Sequence, residues 1–209
     1  MIKSALVDLI KMRLGNRTDA DIATRINAEL DMAQYEMEQF GIFTPWFLLS
    51  TTTTVNTVAA NPQIAIPSDL LQEYEEGALF YNGLPLPKHD EDFLSQKFFE
   101  AEPGAPEAYT LSGEYFVLYP TPDAVYALTM KYYQQDTVPS SVATSGENKW
   151  MKHAADWLLA KTGAAIARFI KDAEAQALFA VDEQKAAERL YTKHVDRAER
   201  NSPRAKGDV

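Results

Sequence analysis

Apolar side chains recur at helical spacing at both ends of this chain and at every second position in its middle. Ile2, Leu6, Leu9, Ile10 and Leu14 form one stripe and predict a helix over 3–14, closed by Gly15-Asn16. Ile22, Ile26, Leu30, Ala33, Met37 and Phe40 predict a second helix over 19–40. Thr18 with Asp21 three residues on opens it, and Gly41 closes it. A methionine and aromatic stripe of this kind marks a core or a subunit interface. Trp150, Ala154, Trp157, Leu158, Ala165, Ile166 and Phe169 carry a third helix over 149–170, with Asn148 as its cap. Past Asp172, which is placed to cap it, a segment runs from Ala173 to Arg200 without Pro or Gly. Its apolar positions are sparse: Leu178, Val181, Leu190, Tyr191 and Val195. It is a fourth helix, or the continuation of the third through a kink near Lys171-Asp172.

The middle of the chain changes period. Residues 50–58, STTTTVNTV, are β-branched and predict a strand, with Gln63–Ile66 pairing back across Ala60-Asn61-Pro62. Pro67-Ser68-Asp69-Leu70-Leu71 reads as one helical turn capped by Ser68. Tyr74–Tyr81 is a further strand. Asn82-Gly83 turns it into Leu84-Pro85-Leu86-Pro87, an edge strand because Pro cannot donate to a ladder. Asp90–Glu100 predicts a short helix that Phe93, Lys97 and Phe98 lay onto the sheet. Tyr109–Leu111, Glu114–Tyr119 and Tyr126–Tyr133 then predict an antiparallel meander, turned at Ser112-Gly113 and at Pro120-Thr121-Pro122-Asp123. In its last strand Tyr126, Leu128, Met130 and Tyr132 share one face. Residues 136–147 are small, polar and aperiodic, which predicts a mobile loop.

Helices at the ends and strands between them indicate the α+β class. The expected architecture is a helical bundle from the N- and C-terminal helices, residues 1–49 and 148–200. An antiparallel β-domain is inserted at 50–147 as a small sheet or flattened barrel, and 201–209 form an extended C-terminal tail. With 209 residues and 46% hydrophobic content, the chain can bury a sizeable core. It has no cysteine, which excludes disulfides, thiolate metal sites and cysteine nucleophiles. The net charge of −10 argues against general nucleic-acid binding, which needs a basic face. No apolar run nears the roughly 18 residues of a membrane span, and charged residues mark the N-terminal stretch as an amphipathic helix and not a signal peptide.

Candidate chemistry is sparse. His89, His153 and His194 stand apart, His153 with Asp156 is an ordinary i,i+3 helix pair, and Asp90-Glu91-Asp92 suits a helix start. Phosphate-loop, nucleophile-elbow, zinc-protease and dinucleotide motifs are missing from the sequence. No catalytic, cofactor-binding or metal-binding residue is assigned. The tail reverses the charge balance of the chain, with Arg197, Arg200, Arg204 and Lys206 around Asn201-Ser202-Pro203.

Three motifs, in this order, carry a resemblance. They are Pro67-Ser68-Asp69 followed by leucines, Gly104-Ala105-Pro106 leading into Tyr109-Thr110-Leu111, and an aromatic strand with YPTPD before a strand ending in Tyr132-Tyr133. Together the chain resembles the portal-to-tail (head-to-tail) adaptor proteins of short-tailed double-stranded DNA phages, of the tail tubular protein A kind. The resemblance implies a structural virion protein without catalysis or cofactor. It implies a dodecameric ring beneath the portal protein, assembled in the host cytoplasm, lying at the head–tail junction and extending the DNA channel. Genomic DNA would pass through without specific binding, and no membrane is involved. The partners implied are the portal, docked through Arg197, Arg200, Arg204 and Lys206, and a downstream tail nozzle or tail fibre protein. The hairpin tips Asn82, Gly83, Pro120 and Asp123, or the 136–147 loop, would meet that second partner. An acidic channel wall would let DNA slide, and a ring needs two different adhesive faces on each subunit. The alternative is an α+β domain that binds a small molecule or a protein without catalysis. Particle size separates the two.

Overall fold

The computed structural model describes residues 1–17, 19–50 and 53–201, with residues 20 and 198–201 by backbone alone. In chain order the elements are α1 (Lys3–Arg13), α2 (Ala20–Phe40), β1 (Thr53–Asn56), β2 (Gln63–Ala65), β3 (Leu70–Glu73), β4 (Leu79–Tyr81) and β5 (Leu84–Pro85). There follow α3 (Glu91–Lys97), β6 (Ala108–Ser112), β7 (Tyr115–Tyr119), β8 (Ala127–Met130), β9 (Tyr132–Gln134), α4 (Lys149–His153), α5 (Ala155–Phe169) and α6 (Ala173–Asn201). Short 3-10 turns lie at Trp46–Leu48 and Pro139–Ser141. This is an α+β fold with small antiparallel sheets. The described residues divide into two compact units: those of 1–48 with 136–201, and those of 49–135.

The helical unit is built from the predicted stripes. α1 ends in a paired cap: Asn16 N–H donates to the Lys11 carbonyl (3.0 Å) and Gly15 N–H to that of Met12 (3.2 Å), with Gly15 at φ +79°. Thr18, the expected cap of α2, lies outside the described residues; Asp19 precedes the helix without a side-chain cap bond. Asn148 Oδ1 accepts from Met151 N–H (2.8 Å) and caps α4 as expected. The helix expected over 149–170 is broken at Ala154 (φ −136°) into α4 and α5. α5 and α6 are two helices, joined by a tight link in which Lys171 sits at φ +61°. They run antiparallel. Asp156 pairs with Arg189 (2.8 Å) near one end, and Gly163 faces Phe179 near the other. Asp172 caps α6 by accepting from Ala175 N–H (2.9 Å). Leu6, Ile10, Ile26, Leu30, Trp150, Trp157, Leu158, Ile166 and Leu190 form the buried interior.

The second unit wraps one core in three small sheets. Their strand orders are β1-β8-β4-β5, β2-β7-β6 and β3-β9. Ile64, Leu79, Tyr109, Phe116, Leu118, Leu128, Met130 and Tyr132 pack together between them. The β6–β7 hairpin forms as predicted, although Ser112 pairs with Tyr115, so the turn residues are Gly113-Glu114. The meander does not continue. β7 pairs next with β2, and the third strand splits at Lys131 so that β8 joins β1 and β4 while β9 joins β3. The reason is burial. Leu128, Met130 and Tyr132 do face the core, but Tyr133 is buried as well, and a single flat strand with one solvent face cannot bury two adjacent residues. Gln63–Ile66 pairs with β7 and not with the threonine strand. Pro67-Ser68-Asp69 is a simple turn into β3, closed by Leu70 N–H on the Pro67 carbonyl (3.0 Å), and Ser68 caps no helix. Leu94, fully buried, anchors α3 in place of the expected Phe93, which is exposed.

Candidate docking surfaces

The Asn82-Gly83 hairpin is the sharpest of the predicted tips. Asn82 (φ +49°) and Gly83 (φ +80°) both occupy the left-handed region, as a two-residue hairpin loop that follows the strand twist requires. Tyr81 pairs with Leu84 across it. Asn82, Gly83 and Leu84 are all exposed, so the tip offers an apolar side chain beside two small polar positions. The Pro120–Asp123 turn differs from expectation. Pro120, which follows a cis peptide bond, and Pro122 are both buried. Thr121 is half-buried, and Asp123, Ala124 and Val125 are exposed. Asp123 Oδ1 accepts from the Tyr126 hydroxyl (2.5 Å), a bond that raises the phenol's pKa.

Residues 136–147 are tied down within the helical unit. Lys3 N–H donates to the Gly146 carbonyl (2.9 Å) and Ser4 N–H to that of Thr144 (3.0 Å). Lys3 Nζ reaches the Ser140 and Val142 carbonyls (both 3.1 Å), and Asp31 Oδ1 accepts from Ser140 N–H (2.7 Å). At the start of the segment lies a polar network missed by sequence reading. Glu38 Oε1 accepts from Trp150 Nε1 (2.6 Å), Gln34 Nε2 (2.9 Å) and Asp136 N–H (3.3 Å). Asp136 Oδ2 accepts from Lys149 N–H (2.6 Å), and Asn148 Nδ2 bridges Gln34 Oε1 (2.8 Å) and the Thr137 carbonyl (2.7 Å). Glu38 Oε2 is buried with no hydrogen-bond partner among the described residues. Burial pushes the Glu38 acid up to about 7, against the lowering effect of its donors, with the Asp136 charge adding to the rise. Chemically this is a half-buried latch between α2 and the start of α4.

Of the four basic tail residues, Arg197 is seen in detail. Its guanidinium sits 4.8 Å above the Trp46 ring. Arg200 lies within α6, but nothing is described of its side chain; Arg204 and Lys206 lie outside the described residues. The structure therefore places Arg197 on an aromatic wall at the end of α6.

Two apolar faces lie exposed on the helical unit. Phe40 and Ile42 are 75% and 98% exposed, although Phe40 belongs to the stripe assigned to α2. With Met32, Tyr35, Phe43 and Tyr191 they line a groove of about 860 Å³. Gly41 lets the chain turn there without a left-handed residue, since a Cβ on it would meet the Met37 carbonyl oxygen at 2.3 Å. On another side of α6, Leu178 and Val181 are exposed beside the Arg13–Asp182 ion pair (2.9 Å). The run Phe40-Gly41-Ile42-Phe43 was the available signal, because apolar residues just past a helix end have no helical face to occupy.

Among the described residues there is no group of three or more His, Cys, Asp or Glu side chains able to hold a metal, and no helix long and apolar enough to cross a membrane. No curated protein matches the chain. A family model described as SU10 adaptor protein matches residues 4–207, covering both the helical unit and the sheets. The chain belongs to the SU10 adaptor protein family.

Proposed function

We propose that this phage structural adaptor is a subunit of the ring that connects the portal to the tail of a short-tailed phage and extends the DNA channel. The observation that carries the reading is the family match over nearly the whole chain. Two features support the finer parts. The helical unit carries two distinct exposed apolar faces, around Phe40 and Ile42 and around Leu178 and Val181, and a closed ring of identical chains needs two unlike faces on each copy. The net charge of −10 suits a wall past which DNA slides without specific binding. A dodecamer at the head–tail junction, put together in the host cytoplasm, is the assembly we propose. Arg197, Arg200, Arg204 and Lys206 dock on the portal. The exposed tips at Asn82-Gly83 and Asp123 meet the tail nozzle or tail fibre protein.

The test is electron microscopy of the full chain mixed with its portal protein. Added ring density on one end of the portal is the expected result. Bare portals beside free chains of single-subunit size would overturn the reading. Replacing Arg197, Arg200, Arg204 and Lys206 by Ser should lower portal capture, and unchanged capture would remove the tail from the docking surface.

A further inference from the structure

A cleft of about 360 Å³ lies between the Trp46–Leu48 turn, the last turn of α4 and the end of α6. Trp46, Lys152, His153, Lys193, Asp196 and Arg197 line it. Lys193 and Arg197 stand four residues apart and so project from one face of α6. Lys152 approaches from α4. Trp46 and Phe47 form the aromatic wall, with the His153 ring stacked on Phe47 at 5.1 Å and the Arg197 guanidinium held over Trp46.

The charge at this cleft is unusual for the molecule. Elsewhere on this acidic chain several cations are neutralised at close range: Arg13 by Asp182, Arg25 by Glu29, Lys88 by Glu73, Lys161 by Glu36 and Glu183, and Arg189 by Asp156. Among the described residues Lys152, Lys193 and Arg197 make no ion pair with a carboxylate. Asp196 is the lone acid lining the cleft and makes none either. Nearby Glu147 is engaged by the Met1 amino group (3.0 Å). The field is felt by His153: burial is the largest cause of its lowered pKa, and the Lys152, Arg197 and Lys193 charges lower it further, against Glu147. Three like charges around one cavity repel each other, and a seated anion relieves that repulsion.

We propose that this cleft binds an acidic peptide segment of a partner protein. An Asp or Glu carboxylate sits among Lys152, Lys193 and Arg197, and a neighbouring apolar side chain lies against Trp46. Size and surroundings select a peptide. The cavity admits one or two side chains, whereas a nucleic-acid backbone is followed by a row of cations along a groove. A long polyanion is also repelled along the remaining surface of a chain carrying −10, whereas a short acidic segment meets less of that repulsion. The site chemistry stands without the ring assignment; only the expectation that the segment belongs to the portal rests on the proposed function.

The test uses the full chain and a fluorescein-labelled Glu-Glu-Leu-Glu-Glu peptide, read by anisotropy at low and high salt. Saturable binding is expected, weakening at least about tenfold as salt rises. Lys152→Glu and Lys193→Glu should each weaken it by about tenfold or more. Lys185→Glu, an exposed charge that does not line the cleft, should leave it unchanged. Thermal melts identical to the parent protein will show that each variant is folded. Absence of binding, or equal binding by Lys193→Glu, overturns the proposal. Stronger competition by a short DNA duplex than by unlabelled peptide also overturns it, in favour of a phosphate site. If portal capture persists while the peptide fails, the cleft assignment falls and the adaptor reading stands; the reverse outcome separates them the other way.

Discussion

A Cβ placed on Gly163 would lie 2.3 Å from the buried Phe179 ring, and there is no flexible end to move aside. Alanine is a better helix former by about 1 kcal/mol, but overpacking a tight contact costs about 1–3 kcal/mol. Gly163→Ala should therefore lower stability on urea melting, and a gain would show that α5 and α6 have room to part. Glu38 gives the second prediction at this scale. Its acid holds a proton up to about pH 7 when folded, against an ordinary value of 4.5. Between those values the folded chain binds more protons than the unfolded one, so stability falls as pH rises through that window. The loss is at most about 3 kcal/mol, and less because the side chain is partly exposed. Glu38→Gln keeps an acceptor for Trp150 Nε1 and has no proton to lose. Its stability should be flat across the same window. Parallel pH profiles for the two proteins would show that Glu38 ionises without strain.

At the scale of elements, the link between α5 and α6 is the clearest case of a local rule and an exception to it. Lys171 occupies a left-handed conformation (φ +61°) that glycine adopts freely. Lys171→Gly should raise stability by about 0.5–1 kcal/mol, and a loss would mean that the lysine side chain holds the link. Within α5, Trp157 is buried and lies 5.7 Å from the Trp150 ring. Trp157→Ala should cost about 3–5 kcal/mol, and a loss below about 1 kcal/mol would place the residue at a surface. Phe169, on the same expected stripe, is half exposed and carries the Arg25 guanidinium at 4.0 Å over its ring. The stripe ends before the helix does, because α5 turns into its link there. Among the strands, Tyr109 shows how an element is locked. Its hydroxyl donates to Glu73 Oε2 (2.7 Å) and accepts from Ala78 N–H (2.8 Å), and burial raises its pKa. The same β6 strand thereby reaches back to β3 and the chain before β4.

For the whole molecule, charge sets opposing trends. Copies carrying −10 repel one another, so association through the apolar faces of the proposed ring should strengthen as salt rises. Docking through the basic cleft or the Arg197 end of α6 should weaken under the same change. Sedimentation of the chain alone and capture by portal, each followed against salt, should move in opposite directions. If both move together, one of the two contacts has been assigned the wrong chemistry.

What the sequence determined by itself was whatever depends on near neighbours. The stripes of α1, α2 and α5, the caps Asn148 and Asp172, and the Asn82-Gly83 hairpin all follow from residues a turn or less apart. So does the inward face of Leu128, Met130 and Tyr132. The order of three weak motifs was also enough to resemble an adaptor, in keeping with the family match. Tertiary structure decided what depends on distant partners. Which strand pairs with β7 or β8 is a competition for core contacts between segments far apart in sequence, and alternation is the same for every candidate. The latch of Gln34, Glu38, Asp136, Asn148 and Trp150 joins residues more than a hundred apart, each unremarkable alone. The basic cleft is of the same kind: Trp46, Lys152 and Lys193 become one site only when three helical segments bring them together.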